Sequence, residues 1–102
     1  MLARKVRFNP NNMYMTPGIQ ELMADPNLNG EIGMALFQRH PYGEWGDLDE
    51  EDKQRNEQAL VSGARILSAY MLSDGTKIWI ITEAEDDEGL RSHTTVLLPE
   101  EY

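Results

Sequence analysis

Apolar and polar residues change their period twice along this chain, and each change marks a different kind of element. Residues 3–8 alternate, with Val6 and Phe8 on one side and Lys5 and Arg7 on the other. That period of two predicts a short N-terminal strand. Asn9-Pro10-Asn11-Asn12 is a turn cluster. From Thr16 the period lengthens: Ile19, Leu22 and Met23 recur at i, i+3, i+4 behind an N-cap threonine and Pro17 at the first helical position. This short helix stops at Asp25-Pro26, because a residue before proline disfavours the helical region. A second helix is expected over residues 29–39, with Ile32, Ala35 and Leu36 inward; Gly30 and Gly33 weaken it, and Pro41 ends the segment.

Asp47 is a suitable N-cap for a third helix, with Glu50 three residues on in the reciprocal capping position. Acids fill the first turn, where the helix dipole favours them, and Asp49–Lys53 and Glu51–Arg55 are spaced to pair. Gly63 is a natural stop. No apolar residue lies between Leu48 and Ala59, so the middle of this helix is expected to be mostly solvated and its ends pinned.

The period of two returns in the C-terminal third. Residues 64–72 and 77–83 flank Ser73-Asp74-Gly75-Thr76, and Asp-Gly is a strong hairpin signal. A turn centred on Asp74-Gly75 places Met71 opposite Ile78, Tyr70 opposite Trp79, Ala69 opposite Ile80 and Leu67 opposite Thr82. One face then carries Met71, Ile78, Ala69, Ile80 and Leu67 as a core. The other carries Tyr70, Trp79, Ser68 and Ile81, available to a helix or a partner. Residues 84–91 form an acidic loop, and 92–98 a third strand ended by Pro99. The expected fold is one α+β domain over residues 1–102: a short N-terminal strand, two or three helices and a three-stranded antiparallel meander.

Composition narrows the chemistry. A chain of 102 residues with 40% hydrophobic content suffices for one modest core. The absence of cysteine excludes disulfides, thiolate zinc sites and cysteine nucleophiles, and two histidines cannot supply an all-histidine metal site. The opening residues carry charge without an apolar run, and no segment reaches a membrane-spanning length, so a cytoplasmic protein without membrane contact is expected.

Charge changes the picture further. Eighteen acids against nine bases give a formal net charge of −9, which repels nucleic acid and anionic membrane and attracts basic protein surfaces. The acids are patterned, with seven in residues 44–57 and five in residues 83–88. The first group follows the aromatic and glycine-rich turn His40-Pro41-Tyr42-Gly43-Glu44-Trp45-Gly46, a combination that presents rigid side chains at low entropic cost.

Catalytic signatures are weak. Asp47-x-Asp49-x-Glu51 imitates the start of a calcium loop, yet Asp52 and Gln58 stand where glycine and glutamate are needed, and a capped helix accounts for it better. His40-x-x-x-Glu44 has metal-pair spacing, but Pro41 and Gly43 forbid a regular helix across it; His40 is expected to be a turn hydrogen-bonder. Ser62-Gly63 and Ser73-Asp74-Gly75 lack a nucleophile-elbow context, and no phosphate-binding glycine loop is present. Arg4, Lys5 and Arg7 suit a charged edge strand better than a phosphate contact, because the overall field opposes nucleic acid. No catalytic residue, cofactor or metal is expected.

The stretch from His40 to Leu48, with Arg65-Ile66-Leu67-Ser68-Ala69-Tyr70 and Lys77-Ile78-Trp79-Ile80-Ile81-Thr82-Glu83, resembles a family of short bacterial plasmid and mobile-element proteins. The resemblance covers roughly residues 40–102. Members carry labels such as plasmid-related protein or type I restriction methylase subunit. The second label does not suit this chain: an adenine methylase needs Asn-Pro-Pro-aromatic, and the nearest run is Asn9-Pro10-Asn11-Asn12. The resemblance implies a mobile-element origin and brings no catalytic residues. By analogy with the small acidic proteins that mobile elements use against host defence, the expected function is a non-enzymatic anti-restriction or anti-CRISPR inhibitor of a basic nucleic-acid-handling enzyme. The alternative is a regulatory or accessory module, such as an antitoxin or conjugation accessory, with a small hydrolase or transferase third. The expected contact residues are Tyr42, Trp45, Asp47, Asp49, Glu50, Glu51, Asp52, Tyr70, Trp79, Glu85, Asp86 and Asp87.

Overall fold

A few chain-breaking residues decide where each element starts and stops. The computed structural model describes residues 4–102 and holds β1 (Asn12–Met15), α1 (Pro17–Met23), α2 (Asn29–Met34), α3 (Glu50–Ser62), β2 (Ile66–Met71), β3 (Lys77–Thr82) and β4 (His93–Leu97). The strands form one mixed sheet in the order β1-β4-β3-β2. β2, β3 and β4 are the expected antiparallel meander, and β1 adds a parallel edge strand beside β4. The α+β reading therefore holds, with one more strand than expected.

The N-terminal strand sits later than the alternation indicated. Residue 3 lies outside the described residues, and residues 4–8 form no strand. Arg7 instead donates its amide to the Pro41 carbonyl at 2.8 Å, and Phe8 packs edge-on against His40 at 5.0 Å between centroids. The Asn9-Pro10-Asn11 turn, with Asn11 at φ 60° and its amide bonded to the Asn9 side chain, redirects the chain before pairing begins at Asn12.

α1 starts at Pro17 behind Thr16, as its signals require, but the Thr16 side chain does not cap it. Glu101 takes that role: it accepts from the Gly18 amide at 3.0 Å and from the Thr16 hydroxyl at 2.5 Å. This ties the C-terminal 3-10 turn Pro99–Glu101 to the start of α1. The second helix runs as expected but changes form: Ala35–Arg39 is a π-helical turn, followed by a 3-10 turn at His40–Tyr42. Ile32, Ala35 and Leu36 face inward.

The hairpin register differs from expectation by one residue. Leu72 donates to the Thr76 carbonyl at 2.8 Å, so Ser73, Asp74 and Gly75 form a three-residue loop with Gly75 left-handed at φ 90°. Tyr70 consequently pairs with Ile78, Ala69 with Trp79, Ser68 with Ile80 and Leu67 with Ile81. A one-residue slip inverts one strand's faces and leaves its partner's alone. Ile78 and Ile80 face the core as expected, and Trp79 faces away. On β2 the assignment reverses: Ile66, Ser68 and Tyr70 point into the core, while Met71 is exposed.

The core fills the face covered by the helices. Ile19, Ile32 and Leu36 pack with Tyr70, Ile78, Ile80 and Val96, and Ala59 of α3 packs with Trp45 and Ile66 at the other end. β2 is an edge strand, yet it is blocked along most of its length. The Asn56 side chain donates to the Leu67 carbonyl at 2.7 Å and accepts its amide at 3.2 Å, as a neighbouring strand would. Residues 45–47 do the same for Ala69, which donates to Trp45 and accepts from Asp47 at 2.6 Å. Gly46 makes that approach feasible: at φ 78°, any Cβ would overlap the Ala69 carbonyl. Covered edges of this kind prevent strand-to-strand aggregation.

Candidate functional site

The helix cap is displaced by two residues from its expected place. Asp49, not Asp47, caps α3: its backbone is extended and its carboxylate accepts the Asp52 amide at 2.8 Å. Asp47 is held by its backbone bond to Ala69 and by an ion pair with Lys77 at 3.4 Å. The strand-like tether at residues 45–47 precedes the helix, and Asp49 is the extended residue whose carboxylate meets the first turn. Asp52 thus occupies the third helical position that Glu50 was expected to fill. We predict that Asp49→Ala costs about 0.5–2 kcal/mol. Asp47→Ala removes only an exposed pair worth about 0–1 kcal/mol. Urea denaturation of the two variants checks the ranking.

Glu50 and Glu51 are exposed on the first turn of α3, and Asp52 is half-buried. Arg55 reaches back to Asp52 at 3.1 Å and to Glu51 at 3.3 Å, the latter being the expected i, i+4 pair. Glu57 faces a different neighbour: both its oxygens bind the Arg7 guanidinium, at 2.7 and 2.9 Å, and one accepts the Trp45 indole N–H at 2.9 Å. Those contacts, the Arg7 hydrogen bonds first, hold the Glu57 carboxyl below its ordinary pKa.

The second acidic group lies at the opposite end of α3. The Glu85 amide donates to the Gly63 carbonyl at 2.8 Å, and its side chain lies over Gly63, where a Cβ would collide with it. Gly63 closes the helix at φ 84°. Asp86 spends its carboxylate on the loop itself, accepting the Glu88 and Leu90 amides at 2.8 and 3.0 Å. Asp87 and Glu88 are exposed. Arg91 sits beneath the loop, only 6% exposed, donating to the carbonyls of Ala59, Glu83 and Ala64. Through its bond to Ala59 the guanidinium stands at the C-terminal end of α3, where the helix dipole favours a cation.

The aromatic residues expected at the contact surface are mostly inside. Trp45 is 5% exposed, stacked on Phe8 at 6.2 Å and packed with Ala59 and Ile66. Tyr70 is 2% exposed, with its hydroxyl donating to the Glu44 carbonyl at 2.6 Å. Burial, its largest cause, pushes the Tyr70 phenol up to about 12. Tyr70 and Trp79 occupy opposite faces of the sheet, so the shared Tyr70–Trp79 face does not exist. Trp79 is half-buried against Tyr102, edge to face at 5.7 Å. Tyr42 is half-buried, with Arg4 over its ring at 4.4 Å and Arg4 paired with Glu44. What remains fully exposed of the expected set is carboxylate, at the two ends of α3.

His40 is the largest departure from a turn residue. It has no exposed surface, and its ring nitrogens meet Ser68 Oγ at 2.5 Å and Thr82 Oγ1 at 2.8 Å. Thr82 meets Thr94 at 2.6 Å, and Thr94 donates to the Pro10 carbonyl at 2.7 Å. That last acceptor orients the whole chain. Thr94 must accept from Thr82, Thr82 from the His40 Nε2–H, and His40 Nδ1 from the Ser68 hydroxyl. A serine bonded to a histidine resembles a nucleophile and its base, but Ser68 also has no exposed surface. Sequence reasoning missed this network because its bonded partners are 12 to 84 positions apart. The only available signal was polar residues at inward strand positions. Among the described residues, no group of three or more histidine, aspartate or glutamate side chains is placed to hold a metal. No described helix is long and apolar enough to cross a membrane.

This chain matches no protein-family model, and no curated protein or solved structure is detectably similar to it.

Proposed function

We propose that this chain is a non-enzymatic, acidic protein-binding inhibitor of mobile-element origin, acting on a nucleic-acid-handling enzyme with a basic surface. The observation that supports it is the placement of exposed carboxylates at both ends of one helix. Glu50 and Glu51 stand at the N-terminus of α3 and Asp87 and Glu88 beyond its C-terminus. Thirteen residues of helix separate the two groups by about 20 Å, a span comparable to several phosphates along one nucleic-acid strand. Arg55 and Lys53 lie between them, so the surface has two acidic poles and a milder centre. Such a field draws a basic partner in and aligns it along α3, with orientation set by charge more than by an aromatic anchor.

The test follows from which carboxylates are structurally committed. Asp49, Asp52, Asp86 and Glu57 serve the fold and are left intact. Glu50→Gln with Glu51→Gln removes one pole, and Asp87→Asn with Glu88→Gln removes the other. Association with a basic restriction or CRISPR enzyme is then followed by stopped flow across salt concentrations, with its nucleic acid as competitor. The expected rate falls roughly tenfold or more from low to high salt. The variants with a neutralised pole are slow at every salt, and nucleic acid competes. Salt-independent association, or simultaneous binding of enzyme, nucleic acid and this protein, sinks the reading.

A further inference from the structure

The open end of the β2 edge adjoins a groove that the acidic reading does not use. Asn56 and residues 45–47 occupy the edge at Leu67 and Ala69, so the outward backbone groups of Met71 are the next along it. There a cavity of about 510 Å³ opens between β2 and α2, walled by Met34, Ala35, Tyr70, Met71, Leu72 and Arg39. A second hollow, about 530 Å³, continues from Arg39, Tyr70 and Met71 toward Gly46 and Asp47. The first has the size of a small-molecule site, and its mainly apolar walls with two charged groups, Arg39 and Glu31, have the usual composition. Met34 and Met71 line it while 49% and 54% exposed, and methionine adapts readily to varied apolar shapes.

Arg39 stands where the two hollows meet. Its guanidinium lies 4.6 Å above the Tyr70 ring. In a chain with twice as many acids as bases, every ion pair among the described residues goes to another cation: Arg4, Arg7, Arg55 or Lys77. The carboxylates bordering the groove are already engaged. Glu31 accepts from the Ser73 amide at 2.8 Å and from its hydroxyl, closing the far wall, and Asp47 pairs with Lys77. The backbone supplies an independent sign. Arg39 is the last residue of the π-helical turn 35–39, and its guanidinium lies over Tyr70. Such turns occur mostly as isolated insertions and frequently at functional sites.

We infer that this groove binds a small apolar monocarboxylate, with the carboxylate on Arg39 and the hydrocarbon body against Met34, Tyr70 and Met71. A guanidinium stacked on an aromatic ring keeps its in-plane N–H fork free for a bidentate carboxylate. Glu31, about 12 Å along the helix from Arg39, disfavours a second negative charge at the far end, so dicarboxylates are rejected.

The experiment is a titration of the ¹⁵N-labelled protein with octanoate, octan-1-ol and octylamine, read by amide chemical shifts. Octanoate is expected to shift residues 30–39 and 69–72 saturably, with octan-1-ol about tenfold weaker or worse and octylamine weakest. Arg39→Gln should reduce octanoate to the affinity of octan-1-ol without changing the latter, and Arg39→Lys should fall between. The spectrum of each variant reports its fold directly. The Glu50→Gln, Glu51→Gln variant should bind octanoate normally, so this site and the acidic surface stand or fall separately. Absence of saturable shifts at the groove, equal binding of the alcohol or amine, or a carboxylate preference that survives Arg39→Gln overturns the inference.

Discussion

Replacing His40 with alanine is expected to cost about 3–5 kcal/mol of folding stability, measured by urea denaturation. Two losses combine. The imidazole fills a fully buried site between Phe8, Trp45 and the sheet, so its removal leaves a cavity. It also takes the imidazole acceptor from Ser68, a hydroxyl with no exposed surface, and the imidazole donor from Thr82, which keeps only its bond to Thr94. His40→Gln retains a donor and an acceptor at lower volume, so it should lose less than alanine. Equal losses from both variants would mean that a retained donor and acceptor contribute nothing at this site, and the oriented hydrogen-bond chain would fail as the explanation.

The same residue makes stability depend on pH in a defined direction. Burial, reinforced by the nearby Arg91 charge, pulls the His40 imidazole from 6.5 down to about 3. Between those values the unfolded chain carries a proton that the folded protein does not. Stability is therefore complete above pH 6.5 and declines as pH falls, by up to about 1.4 kcal/mol per unit. Glu57 and Glu101, held below their ordinary 4.5 chiefly by hydrogen bonds from Arg7 and Thr16, act in the same direction only at lower pH. The interval from pH 6.5 to 5 isolates His40. Urea midpoints across it should fall in the wild type and fall less steeply in His40→Gln; parallel slopes would refute the assignment.

Local signals carried most of the fold. Pro17, Pro41, Gly63 and the Asp74-Gly75 loop each act within a few residues, and each element they bound is where the chain places it. The departures share one cause, which is a contact made across the sequence. Residues 4–8 alternate like a strand but are drawn to Pro41 and His40, leaving Asn12–Met15 to pair with β4. The hairpin loop takes three residues instead of two, a choice that seats Tyr70 beneath Arg39 and buries Ser68 beside His40. Local turn chemistry permits both loops, and the core decides between them. The mostly solvated middle expected for α3 holds at Gln54, Arg55, Glu57 and Gln58, with one exception: Asn56 is 4% exposed, because its amide imitates a strand. The acidic poles were legible because unpaired charge is exposed almost by default. The Arg39 groove was not, since its walls come from two elements joined only by the fold.

Trp45→Ala should lose about 3–5 kcal/mol of stability, an effect on the fold and not on a partner. Position in the sequence suggested a projecting anchor, because Trp45 sits between Tyr42 and the acids in a glycine-rich turn. The structure gives it a structural place: stacked on Phe8, edge-on to His40 at 6.3 Å, over Ala59 and Ile66, with its N–H on Glu57. It joins the N-terminal segment, α3 and the edge of β2, so its loss loosens three contacts at once. Trp45→Phe keeps much of the stacking and gives up the indole hydrogen bond, while Glu57 retains both bonds to Arg7. That variant should cost clearly less than alanine, about 1–2 kcal/mol. Urea denaturation followed by far-ultraviolet circular dichroism provides the stabilities. Association measured on the fraction that remains folded separates the two roles. Stability unchanged in Trp45→Ala with partner affinity lost would restore the anchor; the expected outcome is the reverse, with the folded fraction of either variant binding like the wild type.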